Sequence, residues 1–187
     1  MTNTQNAYTP EVFVAEASVL IGRLGPTRGA FDAIAERLRR LARQPDLISE
    51  DRLRDLHGAS ASATILAEGE DGSALMLARF QPEAPTPVHN HDSWAVICVV
   101  KGGDRHIKWE RLDDGSVEGR VEIRVGEERE LGPGDVQFLD EPPGDIHSQQ
   151  GIDGDAWELV YFGSNPLPKT RAYFDPEAGT VSFSSSI

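Results

Sequence analysis

The chain has 187 residues, enough for one domain with a sizeable core, and its 39% apolar and 7% aromatic shares are those of an ordinary globular protein. A formal net charge of -13 offers no basic footprint for nucleic acid or anionic lipid, which argues against both as partners. No stretch approaches the roughly 18 uninterrupted apolar residues that would span a bilayer, so no membrane association is expected.

The N-terminus, MTNTQNAYTPEV, has neither the basic nor the apolar segment of a signal peptide. With one cysteine, Cys98, no internal disulfide can form, and a reducing cytoplasm is the expected location.

The first sixty residues read as helices. Thr9-Pro10 supplies an N-cap and a first-turn proline, and Val12, Phe13, Ala17, Leu20 and Leu24 recur at helical spacing until Gly25-Pro26. Phe31, Ile34, Leu38 and Leu41 form a second stripe ending at Gln44-Pro45, and Ser49 begins a short third helix carrying Leu53 and Leu56 to His57-Gly58. From about residue 62 the texture changes to short apolar runs separated by turn signals such as EGEDGS, GPGD, EPPGD and GIDGD. The expected strands are 62–68, 73–80, 94–101, 105–112, 117–125, 127–131, 136–139, 156–162 and 180–184. That pattern predicts one mainly β domain spanning 1–187, a sandwich or barrel over 62–187 with the helical segment 1–60 packed on it.

Within TPVHNHDSWAVICVVKGG, residues 86–103, two of the chain's five histidines stand one residue apart. In a strand, residues i and i+2 face the same way, so His89 and His91 would aim two imidazoles at one spot and make half of a metal site. Alone, such a pair also fits exposed loop histidines at a strand edge. Downstream, GPGDVQFLDEPPGDIHSQQ holds Pro142, Gly144 and His147 in a Pro-x-Gly-x-x-His arrangement.

Together the two stretches resemble the paired motifs of the cupin superfamily: His-x-His, a glycine closing the next strand (Gly102 or Gly103), then Gly134, a proline-glycine turn and a third histidine. The resemblance covers about residues 73–163 and implies a double-stranded β-helix, the jelly-roll barrel, with His89, His91 and His147 as metal ligands. Where cupins usually carry a glutamate ligand, four or five residues after the second histidine, this chain has Ala95 and Val96. Three neutral imidazoles leave the full charge of a divalent ion to exogenous ligands, which favours an anionic chelating substrate. On ligands alone, zinc with three histidines and a water competes with iron.

The layout of the whole chain is similar to the thiol dioxygenases, the cysteine dioxygenase and 3-mercaptopropionate dioxygenase group, including its tail YFGSNPLPKTRAYFDPEAG. This resemblance implies an Fe(II) cofactor, a thiol carboxylate bound through sulfur, and transfer of both atoms of O2 to sulfur to give a sulfinate. A carboxylate also calls for an arginine fork. Arg171 resembles the arginine that holds it in bacterial mercaptopropionate enzymes, and Arg79, on the strand before the first motif, is a second candidate. For either, an ion pair with one of the many carboxylates is the competing role.

Many members of this group place Ser, His and Tyr on alternate positions of a late strand, forming a relay that ends at the iron. The corresponding positions here are Trp157, Leu159 and Tyr161, leaving Tyr161 as the one candidate catalytic side chain; counted from Gly163 with a one-residue shift they are Glu158, Val160 and Phe162 instead. The cysteine that crosslinks to that tyrosine in animal-type enzymes would stand at Val96. Cys98 is therefore expected to pack as a small hydrophobe.

His57 reads as a helix-end residue, His106 as part of a solvated strand face in HIKWER, and Trp94 and Trp109 as packing residues. The expected protein is thus a three-histidine, non-haem iron dioxygenase for a small thiol, a monomer or homodimer. Two further readings stand beside it: an iron cupin cleaving a β-dicarbonyl or similar enolate with O2, and a cupin that binds a metal or small ligand without turnover.

Overall fold

The structure, a computed structural model, describes residues 8–45, 47–48 and 63–185. Helix α1, Pro10–Leu24, begins where Thr9 accepts a hydrogen bond from the Val12 amide, with Pro10 in the first turn where its missing N–H costs nothing. It ends at Gly25, whose positive φ of 65° suits a residue without a Cβ. Helix α2, Arg28–Ala42, is capped by Thr27 and buries one face through Phe31, Ile34, Leu38 and Leu41. The third helix expected from Ser49, and His57 within it, lie outside the described residues. Among those described, no helix is long and apolar enough to cross a membrane.

Nine strands follow: β1 (Ala63–Glu68), β2 (Ala74–Phe80), β3 (Val88–His89), β4 (Ala95–Arg111), β5 (Ile123–Leu131), β6 (Val136–Leu139), β7 (His147–Phe162), β8 (Thr170–Asp175) and β9 (Thr180–Ser185). All pair antiparallel in one sheet, with β1-β2-β7-β3-β8-β9 along its path, and β4 joining β5, β6 and β7. Seven strands, β1, β2, β3, β4, β6, β7 and β8, line one cavity, so the sheet curls round an interior. This mainly β, antiparallel architecture agrees with the jelly-roll barrel expected from the motifs.

Period-two alternation sorts the central strands into two cores. Leu75 and Leu77 of β2, Val96 and Cys98 of β4, and Trp157, Leu159 and Tyr161 of β7 face the helices and pack with Phe13, Ile34 and Leu38. Their neighbours Met76, Ala78, Ala95, Ile97, Val160 and Phe162 face the interior with Leu139 of β6. Both faces are covered, which is why these strands read as continuous apolar runs.

Several strands differ from expectation for one physical reason: turn-forming residues lie inside long strands rather than between short ones. The expected 94–101 and 105–112 are the two halves of β4, joined through Gly102 at φ 78°. A Cβ there would lie 2.1 Å from the Asp155 carbonyl oxygen, so only glycine fits. The expected 156–162 is the second half of β7, which starts at His147 and runs through GIDGD, with Asp153 at φ 55°. Pairing between β4 and β7 slips between Val99 and Gly103, the signature of bulged strands. The expected 117–125 enters its strand only at Ile123, and β8, TRAYFD, has no counterpart among the expected strands.

Candidate metal centre

Antiparallel pairing places His89 of β3 directly opposite His147, the first residue of β7. His91 reaches the same point by another route than the one expected. Strand β3 stops at His89, and the chain then turns through Asn90, held to Ala172 by hydrogen bonds in both directions, and Asp92 at φ 54°. The convergence is therefore made by a loop, not by two positions of a regular strand.

The Nε2 atoms of His89 and His91 lie 3.2 Å apart, and one ring nitrogen from each of the three histidines falls within 4.8 Å of the other two. Nitrogens each about 2.0–2.1 Å from one ion would be separated by roughly 3 Å. The rings are buried, at 6%, 8% and 2% exposure for His89, His91 and His147.

Tautomers follow from the hydrogen bonds. His89 Nδ1 donates to the Pro87 carbonyl at 2.8 Å and His147 Nδ1 to the Asp145 carbonyl at 2.9 Å, which leaves each Nε2 lone pair free. Burial pushes all three imidazoles below their ordinary range, to about 4 for His89, and the Arg171 cation adds to the shift of each. They are neutral, the form that ligates.

Asp145, which sequence reasoning passed over, ties the two motifs together. Its buried carboxylate accepts from the amides of His91 at 3.0 Å and Ser93 at 3.3 Å, while its own carbonyl orients His147. Burial raises its pKa despite those hydrogen bonds. Its position two residues before His147 in PPGDIH was the available signal.

His106 corrects an expectation. It is fully buried, stacked on His147 with ring centroids 5.3 Å apart and planes 5° from parallel, and its Nδ1 is 3.5 Å from Asp104. The slip in β4 is the cause: odd positions 95 and 97 face the interior before it, even positions 104 and 106 after it.

The same phase change in β7 decides the relay register. His147 and Gln149 line the cavity at one end of the strand, Val160 and Phe162 at the other. Tyr161 therefore points away from the histidines, a correction to its expected role, and packs edge-on against Phe13 at 5.2 Å and against Trp94 at 5.8 Å. The shifted set, Glu158, Val160 and Phe162, is the one that faces inward.

Arg79 is likewise corrected: it lies on the helix-facing side of β2, buried, 3.5 Å from Asp155 and 6.0 Å from the Trp157 ring. Arg171 of β8 does line the cavity, half-buried, with its Nε lacking a hydrogen-bond partner among the described residues. Tyr173, two positions on, faces the same space and lies 6.2 Å from His89, ring to ring.

Ala95 and Val96, where a carboxylate ligand would stand, are both fully buried in apolar surroundings, and the exposed Asp92 carboxylate turns to Lys169 at 3.6 Å. Cys98 packs in the helix-side core, where burial pushes its thiol up to about 11. Trp94 belongs to that core as well, and the Trp109 indole donates to Ser148.

The cavity holds about 250 Å³, with the three histidines, Arg171, Tyr173, Thr86 and Gln149 on its polar side, and Met76, Ile97, Leu139, Val160 and Phe162 on its apolar side. It can take one small molecule with a polar end and an apolar body.

No protein-family model and no curated protein matches this chain. Among solved structures it is similar to oxalate oxidase in complex with glycolate, at 18% identity over 58% of this chain and 55% of that one, TM-score 0.42. KdgF from Halomonas sp. is 17% identical over 55% of this chain and 80% of that one, TM-score 0.40. The capsular polysaccharide assembling protein CapF from Staphylococcus aureus is 19% identical over 67% and 32%, TM-score 0.43. The chain thus spans little more than half the length of the oxalate oxidase chain. The barrel stands on its own strand pairing, and these likenesses add nothing about activity.

Proposed function

We propose that this cupin-type barrel is a mononuclear, non-haem Fe(II) dioxygenase that oxidises a small thiol carboxylate to its sulfinate with O2. The observation that carries this reading is the donor set: three buried, neutral histidines whose ring nitrogens converge, no carboxylate among them, beside a cavity that holds an arginine. Neutral ligands leave a divalent ion's charge uncompensated, and an anionic sulfur donor meets it. Bound iron would supply activation of both the thiolate and O2.

The protein's own groups do the rest. Arg171 offers a forked donor to a carboxylate and, in a chain of net charge -13, provides the local cation an anionic substrate needs. The carbonyls of Pro87 and Asp145 hold two imidazoles in one tautomer. Met76, Ile97, Val160 and Phe162 exclude water from the remaining volume.

A second reading, cleavage of a β-dicarbonyl enolate, is favoured by one observation. The inward positions of β7 are Glu158, Val160 and Phe162, so no Ser-His-Tyr relay faces the histidines.

The test is O2 uptake by anaerobically iron-loaded protein offered cysteine, 3-mercaptopropionate, cysteamine and a β-diketone separately, with His147→Ala as control. Thiol-dependent uptake matched by sulfinate supports the thiol reading. Uptake with the diketone alone replaces it with the enolate reading, and none with any, despite bound metal, leaves a binding protein.

A further inference from the structure

Gln149 lies two residues beyond His147 on β7, 4% exposed, at the edge of the cavity. Its side-chain amide is spent in one direction. Nε2 donates to Glu158 Oε2 at 2.6 Å and to Asp104 Oδ2 at 3.3 Å, and both carboxyl groups are fully buried. Turning the amide over would set its oxygen against two carboxyl oxygens, so the network itself fixes which atom is which. The backbone is held as well: its N–H donates to Thr86 Oγ1, and its carbonyl accepts from the Thr86 amide, each at 2.9 Å.

What remains of the amide is Oε1. No hydrogen bond reaches it among the described residues, and the cavity is the space the side chain borders. Behind it, burial and then the Asp104 carboxylate push Glu158 well above the usual carboxylate range. Two fully buried carboxyl groups thus lie directly beneath the amide, with Gln149 Nε2 as their common donor.

We propose that Gln149 is a specificity-determining residue whose locked amide oxygen accepts a hydrogen bond from an N–H or O–H of the bound substrate, and favours an ammonium above all. Resting on the thiol reading given above, this selects an amino thiol acid such as cysteine over an unsubstituted mercapto acid. Arg171 takes the carboxylate and Gln149 the amine. A site built around an acceptor discriminates against a ligand lacking the donor, because the acceptor is then left unpaired.

The test measures binding, not turnover. Full-length protein loaded with Co(II) under anaerobic conditions is titrated by calorimetry with cysteine and with 3-mercaptopropionate. The wild type is expected to bind cysteine at least about 10-fold more tightly. Gln149→Leu should bring the two within about 2-fold. Glu158→Gln keeps the shape of the buried pair but can donate to Oε1, letting the Gln149 amide turn and present its N–H groups; it should erase or invert the preference, and it answers the question if the leucine variant does not fold. Equal binding by the wild type, or a preference that survives either folded variant, overturns the assignment. If neither thiol binds, the thiol reading fails, and glycolate against acetate tests Gln149 on its own. A preference for the hydroxyl-bearing acid that Glu158→Gln removes supports the assignment, and no preference overturns it.

Discussion

On the side of the sheet that meets the helices, Leu75, Leu77, Val96, Leu159 and Tyr161 close against Phe13, Ile34 and Leu38. On the inner side the three histidines, Gln149, Glu158 and Asp104 lie within an apolar lining. Among the described residues, most buried polar atoms without a hydrogen-bond partner lie on the inner side, including His91 Nδ1, both ring nitrogens of His106, Asp104 Oδ1 and Glu158 Oε1, while the Tyr161 hydroxyl lies on the helix side. Each such group costs about 1–3 kcal/mol of stability. One face thus supplies the stability that the other face gives up for chemistry, an asymmetry expected of a functional site.

Substitutions on the two faces should separate these roles. The largest effect is expected from His147→Ala, which removes one of three donors. Metal retained after dialysis, read by elemental analysis, should fall by more than the 10–100-fold typical of lost supporting residues, with the far-UV circular dichroism preserved. Phe13→Ala should do the reverse. Emptying that helix-side site should lower unfolding free energy by about 3–5 kcal/mol in a denaturant titration while metal affinity stays within about 2-fold.

Asp145→Ala sharpens the comparison, because it acts on the metal site without touching a metal donor. Loss of the clamp on His91 and Ser93 should weaken metal binding by about 10–100-fold, and Asp145→Asn, which keeps an acceptor oxygen, should recover part of it. Arg171→Met should raise KM for a carboxylate-bearing thiol by about 10-fold or more and leave cysteamine, which has no carboxylate, nearly unaffected.

The smallest effect is expected at Tyr161. Because its side chain belongs to the helix-side core, Tyr161→Phe should change kcat by less than about 2-fold and stability by no more than about 1 kcal/mol. A loss of two orders of magnitude in kcat would return Tyr161 to the metal site.

What was legible in the sequence was local. Thr9-Pro10 and Thr27 mark the helix starts by capping, and the His-x-His and Pro-x-Gly-x-x-His spacings single out the three residues that converge. What was hidden depends on phase. Gly102 and the Asp153-Gly154 pair look like turns that end strands, yet each is an irregularity inside one. Alternation within HIKWER assigns His106 to solvent, and the resemblance to the relay assigns Tyr161 to the site unless the register shifts by one; His106 is buried and Tyr161 faces the helices. Strand β8 was hidden for another reason: TRAYFD is short and mixed in character, although the PEAG turn that joins it to β9 is a hairpin signal. Its Arg171 was reached by resemblance alone.

The slip at Gly102 makes β4 behave like a text read in two frames. Upstream, odd-numbered residues are the inner letters; downstream, even-numbered ones are. Substitutions along the strand change single letters, but deleting one residue between Val99 and Gly103 would shift every letter after it. Exposed Arg105 would then take an inward place, while Asp104 and His106, both now fully buried, would face water. The support beneath Gln149 and His147 would be lost without altering any residue that lines the cavity, so the length of this segment is under tighter constraint than its composition.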